Sequence, residues 1–302
     1  VCCRWGYGKC TLFMLSAFGL LMSERLHPQR FWQYYTKRIV RIYPVVWSNV
    51  LLLLLPLSIF YYFTASPAMF LHYFGDPLRS IEMIYYPPHW FLQALMFFYL
   101  VGFFFLKNYS TKKILWAYMI LTIVYVFAYS QFEDFTPLII EQTIGFKMIF
   151  YAMVFLLGIY LADINEKIAY RGFRDYVMLI GIISLIYAHK ILWMKGIGTE
   201  YQFVQQLLIF PMLYYFMKIS KSPFILEKIM GHKKLSVFIT LIGAMSFELY
   251  IVHGSIRPFF VKYIPSFPEN VIVYLLVVFL VSYLFYRLNL VLVDKIKKSF
   301  VC

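Results

Sequence analysis

The chain has 302 residues, of which 62% are hydrophobic and 14% charged, and its formal net charge is +14 at pH 7. Soluble domains carry roughly 45–50% apolar and about 25% charged residues, so this composition excludes a soluble enzyme. It also excludes nucleic acid as the partner of the positive charge, because the basic residues sit in loops between apolar runs, where they fix membrane topology and meet anionic lipid. Runs such as residues 45–63 and 271–286 are long enough to cross the ~30 Å hydrocarbon layer as helices. The reading is an all-α, polytopic transmembrane helix bundle of a single domain over 1–302, with the lipid bilayer as its solvent and the cell membrane as its location.

Nine spans are expected, with cores near 10–23, 43–64, 89–106, 113–130, 144–162, 176–194, 201–217, 236–260 and 271–290. The first is short, and Pro56 and Pro211 are expected to kink the second and seventh. Charge tests the parse. Arg25, Arg30, Lys37, Arg38 and Arg41 follow the first span, and Lys107, Lys112 and Lys113 follow the third. Alternate loops further on carry Lys167, Arg171 and Arg174, then Lys218, Lys221, Lys228, Lys233 and Lys234, and the last helix ends with Arg287, Lys295, Lys297 and Lys298. One side thus holds twenty of the 28 basic residues, and the other holds Glu133, Asp134 and Glu141. The positive-inside rule then places the N-terminus outside and the C-terminus in the cytoplasm.

Four places along the chain carry polar chemistry. Ser16 lies in the first span. In the basic loop that follows, Arg38 and Arg41 are three apart and share a helix face. A guanidinium fork there can grip phosphate bidentately, or the two can simply anchor the span. His89 and Trp90 open the third span at the outer face, where they line a vestibule or anchor the interface. The eighth span contains Ser246, Glu248, His253 and Arg257, and ionisable groups in a span face a partner or a wet cavity. His253 and Arg257 share a face, and on a straight helix His253 lies ~26 Å from the cytoplasmic end. Its imidazole is a candidate general base or a structural histidine. His189 and Lys190 lie near an outer span end, where lysine snorkels. Cys2, Cys3, Cys10 and Cys302 have no metal-ligand spacing, and no metal is expected.

These segments resemble the acyltransferase-3 family of membrane acyltransferases. Gly8 to Phe18, with Phe13 and Ser16, is similar to that family's second-span motif, with Ala17 in place of the usual Gly. Phe31 to Pro44 resembles its Arg-x-x-Arg segment ending in Arg-Ile-Tyr-Pro, and His89-Trp90-Phe91-Leu92 its Trp-Phe-Leu opening. Ser246 to His253 resembles its Ser-Tyr-x-x-Tyr-Leu-x-His signature. Gln93 and Leu95 stand where some relatives carry acids. The family pattern has about ten spans, the first with a basic residue and a histidine eleven positions later. Arg4 is followed at that interval by Leu15, so the resemblance implies a chain that opens at the family's second span.

The resemblance implies transfer of an acyl group, usually acetyl, from acyl-CoA (acetyl-CoA) as co-substrate, with no bound cofactor, to a hydroxyl of a cell-surface or exported carbohydrate or glycolipid. Arg38 and Arg41 would hold the donor and His253 would be catalytic, with Ser16, His89, Trp90, Glu248 and Arg257 contributing to substrate binding. A polysaccharide exporter or flippase without acyl transfer is the alternative, although no internal repeat of the kind transporters show is visible.

Overall fold

The structure, a computed structural model, describes residues 7–64, 90–107, 109–132, 135, 143–263 and 269–300. Every regular element among them is helical. Apolar runs demand this, because inside a bilayer a helix satisfies its backbone polar groups within the segment. In chain order the α-helices are α1 (Tyr7–Leu26), α2 (Phe31–Asn49), α3 (Leu55–Thr64), α4 (Trp90–Lys107), α5 (Thr111–Ser130), α6 (Ile144–Asp163), α7 (Phe173–Met194), α8 (Gln202–Ile219), α9 (Lys233–Ala244), α10 (Ser246–Tyr263) and α11 (Glu269–Phe300). They gather into two compact units, one of α1 with α4–α8, the other of α2, α3 and α9–α11.

Five segments among the described residues are long and apolar enough to cross a bilayer: Phe31–Leu57, Thr111–Ser130, Ile144–Asp163, Phe173–Met194 and Val271–Ile296. The other expected spans coincide with α1, α4, α8 and the pair α9–α10. α4 is short, and α1 and α8 are diluted by residues such as Glu24, Arg25, Gln202 and Gln205. Ile123 and Phe127 of α5, Ile180 of α7, and Leu276 and Leu284 of α11 are exposed. Contiguous apolar surface of this kind on a helix is what faces lipid.

The helices differ from the sequence expectation at three points. α1 is a full 20 residues, or ~30 Å at 1.5 Å per residue, and so is not short. The second helix starts at Phe31, which makes the basic segment helical. Pro56 does not kink it in the ordinary way. A proline ring collides with the carbonyl four residues earlier, and here the chain widens into a π-turn over Val50–Leu54, with the Leu55 N–H bonded to the Val50 carbonyl. The eighth span is broken rather than continuous, with α9 and α10 bending by 63°. Gly243 and Ser246 flank the corner, the kind of pair at which helices kink, and the Met245 side chain at the corner is fully buried.

In the first unit α1 lies against α6 at very close range. A Cβ built on Gly158 would sit 2.3 Å from the Met14 carbonyl oxygen and 2.9 Å from the Ala17 Cβ. Phe13, beside this contact, packs its ring against Phe91, Phe98 and Tyr151 with centroids 4.7, 5.3 and 4.9 Å away. The basic loops converge at one end of this unit. Arg25 pairs with Asp163, which also accepts from the Thr111 hydroxyl at 3.0 Å. Lys107 donates to the Gln29 carbonyl at 3.3 Å and Lys221 to the Ile168 carbonyl at 3.1 Å. Lys218 and Asp175 form a buried ion pair at 2.5 Å. Burial, reinforced by the Asp163 carboxylate and opposed by the Thr111 hydroxyl, pushes the Tyr109 phenol at this end up to about 12. At the other end Tyr125 bonds to Gln206 and Tyr129 to the Glu200 carbonyl. Alternating antiparallel helices produce this separation, and the alternation of charge along the sequence anticipates it for these loops.

Candidate functional site

The second unit carries most of the residues that the sequence singles out. In it α2, α10 and α11 are joined by buried polar groups. Ser48 donates to Asn289 Oδ1 at 3.0 Å, Asn289 Nδ2 donates to Glu248 Oε1 at 3.4 Å, and Ser255 donates to Asn49 Oδ1 at 3.1 Å. All five side chains are buried. Arg41 lies close enough for its charge to act on the Glu248 carboxyl. Beyond this network an apolar core of Val252, Ile256, Phe260, Val278 and Phe285 completes the contact between α10 and α11.

Arg38 and Arg41 share α2. Arg38 turns back one turn: its Nη1 donates to the Tyr34 carbonyl at 2.8 Å and its Cζ sits 3.9 Å from the Tyr34 ring centroid. Arg41 is exposed. Glu248, 5% exposed, belongs to the buried network. His253 is five residues further on, about 140° around the helix at 3.6 residues per turn, and so faces a different direction. It is half-buried, and its Nδ1 lies 3.2 Å from the Leu249 carbonyl. The Tyr274 hydroxyl donates to the His253 carbonyl at 3.0 Å. Arg257, one turn beyond His253, is exposed.

The depth expected for His253 is corrected by the break at Met245. A rise of ~26 Å assumes a straight helix, and a 63° bend removes that assumption. Measured from Glu248, the carboxyl on which Arg41 acts, His253 is only ~7.5 Å further along α10. In the first unit Ser16 accepts a hydrogen bond from the Tyr99 hydroxyl at 3.4 Å. Trp90 begins α4, its side chain lying outside the described residues, as does His89 entirely. Lys190 is not a snorkelling lysine: it is 8% exposed. Among the described residues no group of three His, Cys, Asp or Glu is placed to hold a metal.

The family model for the acyltransferase-3 proteins, described as an acyltransferase domain, matches residues 6–287. The chain belongs to the acyltransferase-3 family. It is therefore a multi-pass membrane acyltransferase. No curated protein and no solved structure matches it. The acyltransferase-3 match runs through the helices of both units, and the motifs sit at structurally pointed places. Phe13 anchors an aromatic cluster, and the Arg-x-x-Arg pair lies midway along α2. The Ser246–His253 signature forms the first two turns of α10 after the break. Ala17, where the family has glycine, packs a single methyl against Gly158.

Sequence reasoning missed Ser48, Asn49, Ser255 and Asn289. A signal existed, since an asparagine inside an apolar helix needs a partner across the interface. What no one-dimensional pattern supplies is that Asn289 bonds Glu248 and Ser48 together.

Proposed function

We propose that this acyltransferase takes its acyl group, acetyl in the simplest case, from acyl-CoA and delivers it to a hydroxyl of a cell-surface or exported carbohydrate, within a nine-span bundle whose C-terminus is cytoplasmic. The observation that carries the reading is the tautomer of His253. A carbonyl only accepts hydrogen bonds, so the contact with Leu249 makes Nδ1 the donor and leaves the basic lone pair of the neutral ring on Nε2. That is the form a general base requires.

In this mechanism Arg41, exposed midway along α2, and Arg38 one turn before it hold the donor phosphates. The acceptor oxygen attacks the thioester carbonyl carbon while its proton passes to His253 Nε2. The carbon–sulfur bond then breaks, and the departing CoA thiolate takes a proton from the imidazolium. One ester forms, one thioester is lost, and the histidine returns to its starting state. Arg257, one turn beyond, is positioned to meet the acceptor side.

The test uses the full chain in proteoliposomes, supplied with labelled acetyl-CoA and isolated envelope polysaccharide. Arg38→Ala/Arg41→Ala is expected to abolish incorporation at micromolar donor while leaving expression and melting behaviour intact. Unchanged incorporation overturns the donor site, and a wild-type chain that moves polysaccharide without consuming acetyl-CoA supports the exporter instead.

A further inference from the structure

At the end of the first unit away from the Asp175–Lys218 pair, α7 and α8 enclose polar groups that none of the chemistry above uses. The ion pair fixes the register of these two antiparallel helices. About fifteen residues along α7 from Asp175 comes Lys190, and about fifteen back along α8 from Lys218 comes Phe203. His189, Lys190 and Trp193 are therefore level with Gln202 and Gln205. Gln202 and Gln205 are both buried in the opening of α8, and Lys190 and Trp193 are buried on α7. The turn between the helices needs Gly196 and Gly198 at φ 79° and 65°. α5 reaches the same end, where Tyr125 bonds to Gln206 and Tyr129 packs on Phe203 at 5.2 Å.

Two atoms there stand out. Trp193 is 2% exposed, and its Nε1 has no hydrogen-bond partner. His189 Nδ1 is likewise buried without a partner, with its ring 5.9 Å from that of Trp193. Buried indole N–H groups ordinarily find an acceptor, and such exceptions call for an explanation. Two of them one turn apart, beside two buried glutamines, describe a site that waits for a polar occupant.

We infer that this end of α7 and α8 is a saccharide-binding subsite, in which sugar hydroxyls accept from Trp193 Nε1 and bond to His189 Nδ1. The inference rests on the proposed carbohydrate acceptor for the class of ligand. The chemistry favours hydroxyls over an anion. An indole N–H only donates, but an imidazole nitrogen and the glutamine amides offer both donors and acceptors, and a hydroxyl serves both roles where carboxylate and phosphate only accept.

Binding is measured without acyl donor, so that failure of transfer and failure of this subsite are told apart. The full chain in detergent is titrated with neutral tetrasaccharides of glucose, galactose, mannose and N-acetylglucosamine, and with a galacturonate tetrasaccharide as the anionic comparison. At least one neutral sugar is expected to bind saturably, and Trp193→Phe, which keeps an aromatic side chain but deletes the pyrrole ring with its N–H, is expected to weaken it about tenfold, the weight of one hydrogen bond. His189→Leu should do the same. No neutral sugar bound, binding of galacturonate alone, or unchanged affinity in both variants each overturns the inference.

Discussion

Asn289 holds Glu248 through its Nδ2 while its Oδ1 accepts from Ser48, so one amide on α11 ties α10 to α2 at the level where Arg41 acts on the Glu248 carboxyl. Replacing it with leucine strips a partner from both groups inside an apolar helix contact. Asn289→Leu is expected to destabilise the protein by about 1–2 kcal/mol, since hydrogen bonds between membrane helices are individually modest. It should also raise the KM for acetyl-CoA by loosening the carboxyl beside Arg41. Thermal melts and donor titrations on the same preparation check both effects. A variant with lowered stability and an unaltered KM would show that the network is scaffold alone.

Gly158 makes a second, sharper prediction. Its missing Cβ is what lets the Met14 carbonyl approach. Gly158→Ala therefore forces α1 and α6 apart and should lower the melting temperature, at an overpacking cost of about 1–3 kcal/mol. Ala17→Gly in the same chain should not restore it, because the tightest clash is with backbone rather than with the Ala17 methyl. Recovery of the double variant to wild-type melting would place the clash at Ala17 instead.

Most of the helices were legible in the sequence because apolar runs of bilayer length leave few alternatives, and because Arg25, Lys107, Lys218 and Lys221 alternate with runs that must each reverse direction. Local patterns do not carry the rest. The corner at Met245 has no proline to announce it, and the flanking Gly243 and Ser246 are too common a pair to mark a 63° bend in advance. The π-turn at Val50–Leu54 is one of several ways to relieve Pro56. Lys190 reads as an interfacial lysine at its distance from the helix end, and only the packing of α7 decides that it points inward. In the candidate site the depth of His253 was not legible, since a depth counted in residues assumes a straight axis and the helix bends by 63° before it.

The Asp175–Lys218 pair sets the register of α7 on α8, and Asp175 also accepts from the Arg171 N–H at 2.7 Å. Both charged groups are buried, so removing one leaves the other without compensation, at a cost of about 3–5 kcal/mol. Lys218→Met and Asp175→Asn should each lower stability markedly. The double variant should be less damaged than the sum of the two, with a coupling energy of about 1–3 kcal/mol in a double-mutant cycle. Strict additivity would mean the pair contributes nothing as a pair.

His253→Gln tests the catalytic reading most directly. Glutamine keeps similar bulk and hydrogen-bonding capacity near Leu249 but supplies no basic nitrogen. Loss of a general base typically lowers turnover by about 10²–10⁴-fold. The expected pattern is therefore a fall of that size in kcat, with donor binding unaltered because Arg38 and Arg41 are untouched. Arg41→Lys should give the converse pattern, since a point charge replaces a planar fork on phosphate: weaker donor binding with turnover at saturating acetyl-CoA close to wild type. Steady-state kinetics at saturating and limiting donor separate the two. If His253→Gln instead raised the donor KM and left kcat unchanged, the imidazole would be part of a binding surface, and the proton of the acceptor hydroxyl would have to leave by another group.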